Sequence, residues 1–335
     1  MPSLNKKNVL ITGGAGYVGS VLVPVLLNKG YQVTVLDTFW FWDSPEQYRQ
    51  ALAAPTDNLR IIKGDIRNKA DASQALENIN SVIHLACLSN DPSAEIDPEF
   101  TQAVNYNGSV NVIDAAKKSG VRRFIYASSS SVYGVKSEPR VTEDLPLKPL
   151  TQYSKLKIEI ENYLLDSLSD NFKGVVIRPA TVCGYSPRQR LDVIVNIFVN
   201  QAVNHGKIKV FGGEQLRPNI HIKDMVRLYE ELLELPVDKI NQKIYNAGYE
   251  NKKVMEIASL VREAVGGAEL EITPTDDLRS YHICSEKINR ELGFAPKHTI
   301  KDAAQELKKA FIDNKIKNAV ADKYYNMRLM KKIIN

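Results

Sequence analysis

A tyrosine and a lysine four residues apart are the pair in this sequence best suited to proton transfer. Tyr153 and Lys157 stand in the stretch YSKLK at the start of a helix-like run, so they share one helical face. The pKa of a free phenol is about 10, too high for an efficient base near neutrality, and a neighbouring ammonium group lowers it. The pair therefore predicts a general base that takes the proton of a hydroxyl group whose carbon loses a hydride. An ordinary surface pair on an exposed helix is the alternative.

Four consecutive serines precede this helix, in the stretch YASSSSVYG from Tyr126 to Gly134. They follow a short apolar run that predicts a strand, and doubly wound sheets bind their ligands at the ends of strands. A hydroxyl group there can hydrogen-bond the reacting oxygen beside the tyrosine. At least two of the four serines could equally form a polar turn without a chemical role. The run contains no carboxylate.

A glycine-rich stretch, TGGAGYVGS, follows a strand-like run and opens a helix-like one; its spaced glycines are Gly13, Gly16 and Gly19. Glycine permits a tight turn that lets backbone N–H groups approach a diphosphate, and the helix N-terminus adds partial positive charge. Asp37 ends the second predicted strand 18 residues after Gly19. A carboxylate at that distance accepts hydrogen bonds from a ribose and repels a 2′-phosphate, so the stretch predicts a site for NAD rather than NADP.

Two further stretches could reach the same dinucleotide. In GDIRN, after the third predicted strand, Asp65 could reach the edge of the adenine while Ile66 packs on its face. An aspartate that caps the following helix is an equal alternative. The aromatic stretch TFWFWD, residues 38–43, either flanks the adenine, covers the glycine-rich loop or packs ordinarily.

The elements that position these residues are short apolar runs that alternate with helical patterns. The strand-like runs are residues 8–12, 32–37, 59–65, 81–86 and 123–128. This alternation predicts an α/β fold, a doubly wound parallel sheet (Rossmann) covered on both faces, with a smaller C-terminal α/β lobe. We predict an NAD-binding domain over residues 1–180, to which 222–248 returns. A second lobe is predicted over 181–221 and 249–315, and a basic tail over 316–335.

Composition and charge restrict the possible classes of protein. The 335 residues are 44% hydrophobic and 25% charged, as in ordinary globular proteins. No apolar run approaches the roughly 18 residues of a membrane span, and no signal peptide is evident, so we expect a cytoplasmic protein. Three distant cysteines predict neither a disulfide framework nor a metal site. The excess positive charge lies in residues 301–335, with nine Lys or Arg and four Asp or Glu. This segment is either a solvated or docked tail or a contact for an acidic partner, and no motif indicates nucleic acid.

Taken together, these stretches resemble the extended short-chain dehydrogenase/reductase superfamily. The resemblance rests on TGGAGYVG, Asp37, GDIRN, the serines followed by VYG, YSKLK, RPATVCGYSPRQ and FGGEQLRPNIHIKD, and runs from about residue 7 to 312. More narrowly, they resemble its NAD-dependent nucleotide-sugar epimerase/dehydratase branch. The resemblance implies NAD in the first lobe, a nucleoside-diphosphate sugar in the second, and a homodimer joined by a bundle of helices.

The resemblance also assigns roles by position. Tyr153 matches the catalytic base, Lys157 its partner on the nicotinamide ribose, and Ser129 the hydroxyl that hydrogen-bonds the sugar oxygen. The predicted cofactor-binding residues are Gly13, Gly16, Tyr17, Val18, Gly19, Asp37, Asp65, Ile66, Leu85, Ala86, Ser128, Tyr153, Lys157 and Pro179. The predicted substrate-binding residues are Ser89, Ser129, Ser130, Thr181, Arg217 and Arg279, of which the two arginines are suited to clamp a diphosphate.

The missing acid in the serine run separates the chemistries of this branch. Its 4,6-dehydratases carry Thr-Asp-Glu just before VYG, and its decarboxylating members also use a glutamate there. This chain has three serines, 129–131, and none of these side chains can protonate a leaving hydroxyl group. The run therefore favours oxidation and reduction at one carbon over dehydration. The most familiar chemistry of this kind is 4-epimerisation, in which hydride leaves C4 and returns to the other face of a 4-keto sugar.

Some positions depart from the epimerase pattern. Thr181 stands where many members have asparagine, and Cys183 is either a substrate-facing residue or a small buried hydrophobe. The stretch SPRQRLDVIVNIF, residues 186–198, is similar to members that act on deoxy-sugar or heptose nucleotides of surface polysaccharides. We predict an NAD-dependent nucleotide-sugar 4-epimerase, with a 4-dehydrogenase or 4-reductase as the alternative. A non-catalytic NAD sensor is disfavoured because such proteins typically lose the Tyr/Lys pair.

Overall fold

The computed structural model describes residues 7–275 and 280–334. Its strands are β1 (Asn8–Thr12), β2 (Gln32–Asp37), β3 (Leu59–Lys63), β4 (Ser81–His84), β5 (Arg123–Ala127), β6 (Lys173–Pro179), β7 (Thr181–Cys183), β8 (Lys207–Phe211), β9 (Leu216–His221), β10 (Lys243–Ala247), β11 (Glu250–Lys253) and β12 (Glu269–Thr273). Seven of them form one parallel sheet in the order β3-β2-β1-β4-β5-β6-β10. The predicted doubly wound sheet is thereby confirmed.

Helices connect these strands. They are α1 (Gly19–Asn28), α2 (Pro45–Ala51), α3 (Lys69–Ala75), α4 (Asp91–Ala94), α5 (Pro98–Thr101), α6 (Ser109–Lys118), α7 (Gln152–Ser167), α8 (Ile194–His205), α9 (Ile222–Glu234), α10 (Val237–Ile240), α11 (Val254–Val265), α12 (Glu286–Leu292), α13 (Ile300–Ile312) and α14 (Asn326–Ile334). A π-helical segment, Gln102–Gly108, joins α5 to α6, and 3₁₀ turns lie at Ser130–Tyr133 and Asp322–Tyr324.

Both faces of the large sheet are buried, because successive residues of a strand point to opposite faces. In β1, Val9 and Ile11 pack with residues of α1 and α9, whereas Leu10 packs with residues of α3, α6 and α7. This explains why the strands are continuous apolar runs rather than alternating ones. The segment 222–248 contains α9, α10 and β10, and β10 extends the large sheet by pairing with β6.

The second lobe has its own small core. β7, β9 and β11 form one sheet and β8 pairs with β12 in another. Helices α8, α11 and α13 pack together beneath them around residues such as Val199, Ile257 and Leu307. The pairing of β7 with β9 holds the chain that leaves the large sheet beside the chain that returns to it.

The basic C-terminal segment is docked on the rest of the protein. The carbonyl oxygen of Tyr324 accepts a hydrogen bond from the Leu191 amide at 2.9 Å. In α14, Met330 is buried among residues of the first lobe, and the Asn326 side chain donates to Ser89 Oγ at 2.9 Å. The segment therefore spans the two lobes while its lysines face solvent.

No helix within residues 7–275 and 280–334 combines the length and the apolar character needed to cross a lipid bilayer.

A buried ion pair joins α7 to the large sheet. Arg178 of β6 and Glu161 of α7 are 3% and 2% exposed, and Arg178 Nη2 lies 2.6 Å from Glu161 Oε2. A second contact joins Arg178 Nε to Glu161 Oε1 at 3.0 Å. Ser128 Oγ donates to the same carboxylate, and Arg178 Nη1 donates to the Tyr133 hydroxyl at 2.8 Å. Because each charge is paired and hydrogen-bonded, the helix is fixed against the ends of β5 and β6.

We predict that Glu161→Ala lowers the free energy of unfolding by about 3–5 kcal/mol, because it leaves the Arg178 guanidinium buried without a counter-charge. Glu159→Ala removes an exposed carboxylate from the same helix and should change stability by no more than about 0.5 kcal/mol. Urea unfolding of the three proteins measures both values. Equal, small losses in the two variants would mean that the ion pair does not hold α7 in place.

Candidate active site

A cleft of about 430 Å³ lies at the carboxyl ends of the strands of the large sheet and is closed from the other side by the second lobe. The predicted site residues that line it are Gly13, Gly16, Tyr17, Val18, Gly19, Asp37, Asp65, Ile66, Leu85, Ala86, Ser89, Ser128, Ser129, Ser130, Tyr153, Lys157, Pro179, Thr181 and Arg217. Arg279 lies outside the described residues. Parallel strands end at the same edge of the sheet, so residues from distant parts of the chain meet there.

The glycine-rich loop is tightly packed at the end of β1. Gly13 has a φ of +69°, and a Cβ atom on it would lie 2.8 Å from the backbone of Ala86. The side chains of Trp42 and Tyr48 donate hydrogen bonds to carbonyl groups of the loop at 2.8 and 2.9 Å. The aromatic stretch 38–43 therefore supports the loop, and it also lines the cleft through Trp40 and Phe41.

The loop leaves backbone donors available at the start of α1. Among the described residues, no acceptor is found for the amides of Tyr17 and Val18, which precede the helix. The N-terminal N–H groups of a helix have no intrahelical acceptor and carry partial positive charge. They lie on the wall of the cleft, so this end of it can bind an anionic group such as a diphosphate.

The two aspartates of the first lobe have different environments. Asp37 accepts hydrogen bonds from the amides of Ala15 and Phe39 at 3.0 and 2.9 Å, and burial raises its pKa. The Asp65 carboxylate instead forms an ion pair with Arg67 at 2.6 Å. The alternative that Asp65 caps the following helix is wrong, because the Asn68 side chain caps α3.

Tyr153 and Lys157 stand on one face of α7, and both line the cleft. Thr151 caps this helix through the amide of Ser154 at 3.3 Å, which sets the position of Tyr153 in its first turn. Tyr153 and Ser129 both line the cleft. Lys157 Nζ donates to the Ala127 carbonyl at 2.7 Å and lies 5.6 Å from the centre of the Tyr153 ring.

Burial raises the pKa of Tyr153 well above its ordinary value, and Cys87 and Asp91 add to this shift. Ser129 and the charge of Arg190 oppose it. The sequence predicts that the pKa of this phenol is lowered. In the structure the pKa of Tyr153 is shifted in the opposite direction. The physical reason is that removal from water disfavours the phenolate more than the neighbouring polar groups favour it.

The four serines have separate partners. The Ser128 hydroxyl donates to Glu161, and Ser130 is buried in a 3₁₀ turn. The Ser129 and Ser131 hydroxyl oxygens lie 2.9 Å apart, and Ser131 continues to the Ser154 hydroxyl at 2.7 Å. Ser129 is therefore the member of the run that lowers the pKa of the tyrosine, while Ser128 donates to the ion pair behind the site.

Two arginines that the sequence does not single out line the cleft from the loop after β7. Arg190 Nε donates to Asp192 Oδ1 at 2.8 Å, and its Nη2 is buried without a hydrogen-bond partner. Arg188 stacks on the Phe41 ring, 3.5 Å from its centre, and its Nε and Nη1 are buried without partners. Burial lowers the pKa of Arg188 to about 9, and the charge of Arg190 adds to this shift. The only sequence signal was two arginines, in SPRQR, beside an apolar run.

Carboxylates outside the serine run also reach the cleft. Asp91 lines it and accepts a hydrogen bond from Thr151 Oγ1, and Asp192 lines it beside Arg190. The serine run contains no acid, but the cleft does. In the described part of the chain, no group of three or more His, Cys, Asp or Glu is arranged to hold a metal ion.

The second lobe contributes Thr181 of β7 and Arg217 of β9 to the wall of the cleft. Arg217 Nη1 donates to the Leu216 carbonyl at 2.9 Å, and the guanidinium lies 5.2 Å from the centre of the Tyr281 ring. Cys183 is 1% exposed within the core of this lobe, where burial raises its pKa. Cys183 therefore occupies the position of a small buried hydrophobe and not that of a substrate-facing residue.

Comparisons with known proteins show which proteins this chain is similar to. A model of the NAD dependent epimerase/dehydratase family matches residues 9–248. The chain is 28% identical to a UDP-glucose 4-epimerase of Corynebacterium glutamicum, over 87% of this chain and 91% of that protein. It is 30% identical to a dTDP-glucose 4,6-dehydratase of Streptomyces griseus, over 86% of this chain and 89% of that protein. Among solved structures, MoeE5 in complex with UDP-glucuronic acid and NAD is similar with a TM-score of 0.79 at 26% identity, over 92% of this chain and 99% of that one.

Proposed function

Because the chain belongs to the NAD-dependent epimerase/dehydratase family, we propose that it epimerises a nucleoside-diphosphate sugar at C4 through a 4-keto intermediate. The cofactor of this family is NAD, and the cleft fits it: loop amides are available to a diphosphate, and Asp37 to ribose hydroxyls. The observation that carries the proposal is that Tyr153, Lys157 and Ser129 line the cleft together at the strand ends, with a serine run that contains no acid.

The residues of the chain act on the C4 hydroxyl group. Tyr153 takes its proton, Ser129 hydrogen-bonds the same oxygen, and Lys157 supplies positive charge beside the phenol. NAD held by the glycine-rich loop and Asp37 would supply a reversible hydride acceptor for C4 and a positively charged ring beside the phenol. Tyr153 gives the proton back when the hydride reaches the opposite face. The sugar thus loses and regains one proton and one hydride, and its composition does not change.

The raised pKa of Tyr153 sets a condition on this mechanism. A phenol buried away from water becomes a useful base only when cations surround it. Arg190 already opposes the shift, and Lys157 stands on the same helical face. We therefore propose that proton transfer requires the fully assembled cleft.

Dehydration stays the competing chemistry because Asp91 lies near the tyrosine. Its carboxylate accepts a hydrogen bond from Thr151, which caps α7. We propose that Asp91 helps to hold the start of this helix and does not protonate a leaving hydroxyl group. The predicted homodimer stays a prediction of the resemblance.

We expect NMR of a panel of UDP-, GDP-, CDP- and dTDP-sugars in D₂O, with NAD well below stoichiometry, to show conversion that exceeds the NAD supplied. No deuterium should enter the sugar, because the hydride returns internally. Product limited to the NAD present, with NADH accumulating, would instead establish a dehydrogenase. A product lighter by one water would establish a dehydratase, and deuterium at C3 or C5 would establish enolisation.

We predict that Tyr153→Phe keeps the affinity for NAD within about threefold and lowers turnover by roughly 10²–10⁴-fold, the usual contribution of a general base. Tyr163→Phe is the matched control, since this tyrosine lies on the same helix and bonds the exposed Asp114 at 2.7 Å. Isothermal titration with NAD and steady-state turnover separate the two effects. Near-full activity of Tyr153→Phe would rule out the mechanism.

The environment of Arg190 supports a sugar with an acidic group as the preferred substrate. Asp192 already pairs with its Nε, but its Nη2 is buried without a partner beside Tyr153, so this donor is available to an anionic ligand. The related MoeE5 has been solved with UDP-glucuronic acid. We therefore propose that the sugar carries a carboxylate that Arg190 binds.

We expect kcat/KM to be higher for UDP-glucuronic acid than for UDP-glucose, and Arg190→Gln to lower the first value at least about tenfold more than the second. Arg190→Lys keeps the charge but not the planar fork, so its loss should be intermediate. Steady-state kinetics on both substrates measure the difference. Equal losses on the two sugars would contradict the proposed carboxylate contact.

A further inference from the structure

Arg188 is a buried cation with unused hydrogen-bonding capacity. It is 4% exposed, and its Nη2 donates to the side-chain oxygen of Asn326. Its Nε and Nη1 have no acceptor, and among the described residues no carboxylate oxygen lies within 4 Å of it. An isolated charge removed from water is costly unless it is paired. Two unpaired donors on the wall of a ligand cleft therefore point to an anion that is part of the working protein.

The position of Arg188 is fixed against the glycine-rich loop. The Tyr17 hydroxyl donates to the Gly184 carbonyl at 2.7 Å, and Ser186 Oγ donates to the Tyr17 carbonyl at 2.7 Å. These buried hydrogen bonds hold the segment that carries Arg188 directly on the loop whose amides open to the cleft. Arg188 also interacts electrostatically, without an ion-pair contact, with Asp192 and with Asp37 at the end of β2.

We infer that Arg188 binds the diphosphate of NAD from the side of the second lobe, opposite the amides of the glycine-rich loop. A guanidinium group presents donors in a planar fork that matches phosphate oxygens. Stacking on Phe41 holds that plane in one orientation. Arg190 is not equivalent, because Asp192 already pairs with it and its open nitrogen belongs to the end of the cleft that holds Tyr153.

Asn326 of α14 positions this arginine. Besides accepting from Arg188, its backbone amide donates to Asp192 Oδ2 at 2.8 Å and its side chain donates to Ser89 Oγ at 2.9 Å. The docked C-terminal segment thus contributes to cofactor binding through Arg188. The inference concerns the cofactor and holds or fails independently of which sugar is the substrate.

Binding of NAD, ADP-ribose and UDP to the full-length protein, freed of bound nucleotide, tests the inference by isothermal titration. Arg188→Met keeps the shape of the side chain and removes the buried charge. We expect its affinity for NAD and for ADP-ribose to fall together by about ten- to a hundredfold, and its affinity for UDP to stay unchanged. The melting temperature of Arg188→Met without nucleotide should not be lower than that of the wild type, because the substitution removes an unpaired buried charge. Arg328→Gln, an exposed arginine of the same C-terminal segment, is the control and should match the wild type.

Three results would overturn the inference. A loss for UDP with NAD unchanged would place Arg188 on the substrate diphosphate. Unchanged affinity for all three ligands, or a lower melting temperature with unchanged affinity, would make it a structural arginine. If Arg188→Met does not fold, Arg188→Lys gives the same comparison, with a smaller but parallel loss for NAD and ADP-ribose expected.

A double-mutant cycle tests the role of Asn326. Asn326→Ala should weaken NAD binding less than Arg188→Met does, and it should have no further effect in the Arg188→Met background, because its effect passes through the arginine. Additive losses would show that Asn326 acts independently of Arg188 and would contradict its role as a positioning residue.

Discussion

The buried ion pair between Arg178 and Glu161 is the interaction on which the site depends. Tyr153, Lys157 and Glu161 follow one another at intervals of four residues, so they share one face of α7. When Glu161 is fixed on the end of β6, the rotation of this helix about its axis is fixed as well, and the tyrosine and lysine must face the ends of β5 and β6. Ser128 donates to the same carboxylate, so the same ion pair also holds the serine run in place beside the helix.

The second constraint is the way the two lobes meet across the cofactor cleft. Their contacts there are polar and specific: Tyr17 with Gly184, Ser186 with Tyr17, and Asn196 with the Tyr17 hydroxyl at 3.1 Å. A single residue of the glycine-rich loop, Tyr17, thereby contacts the second lobe through both its hydroxyl and its backbone carbonyl. Burial raises the pKa of Tyr17 far above its ordinary value, so it stays a neutral hydrogen-bond donor. The loop that is suited to a diphosphate is thus also a point of contact between the two lobes.

Burial and charge act against each other throughout the cleft. Removal from water raises the pKa of Asp37 and of Tyr153 and lowers that of Arg188. Each of these groups is less readily charged in the protein alone than in water, and a ligand that brings both phosphates and a positive ring offers partners of both signs.

The sequence by itself determined the features that depend on local spacing. Short stretches of sequence reveal the glycines of the loop, the aspartate at the end of β2, the Tyr/Lys pair and the alternation of strands and helices. They do so because turns, helix faces and buried strands have fixed periods. From these the doubly wound sheet, the family and NAD could be predicted.

Only the tertiary structure decided which side chains converge from afar and which way they point. Asn326 reaches Ser89 across 237 positions, and Arg188 meets Phe41 from the other lobe. The direction of the Ser128 hydroxyl, the presence of Asp91 beside the tyrosine and the raised pKa of Tyr153 likewise depend on neighbours and burial. These are properties of packing between distant segments, and no local period in a single sequence records them.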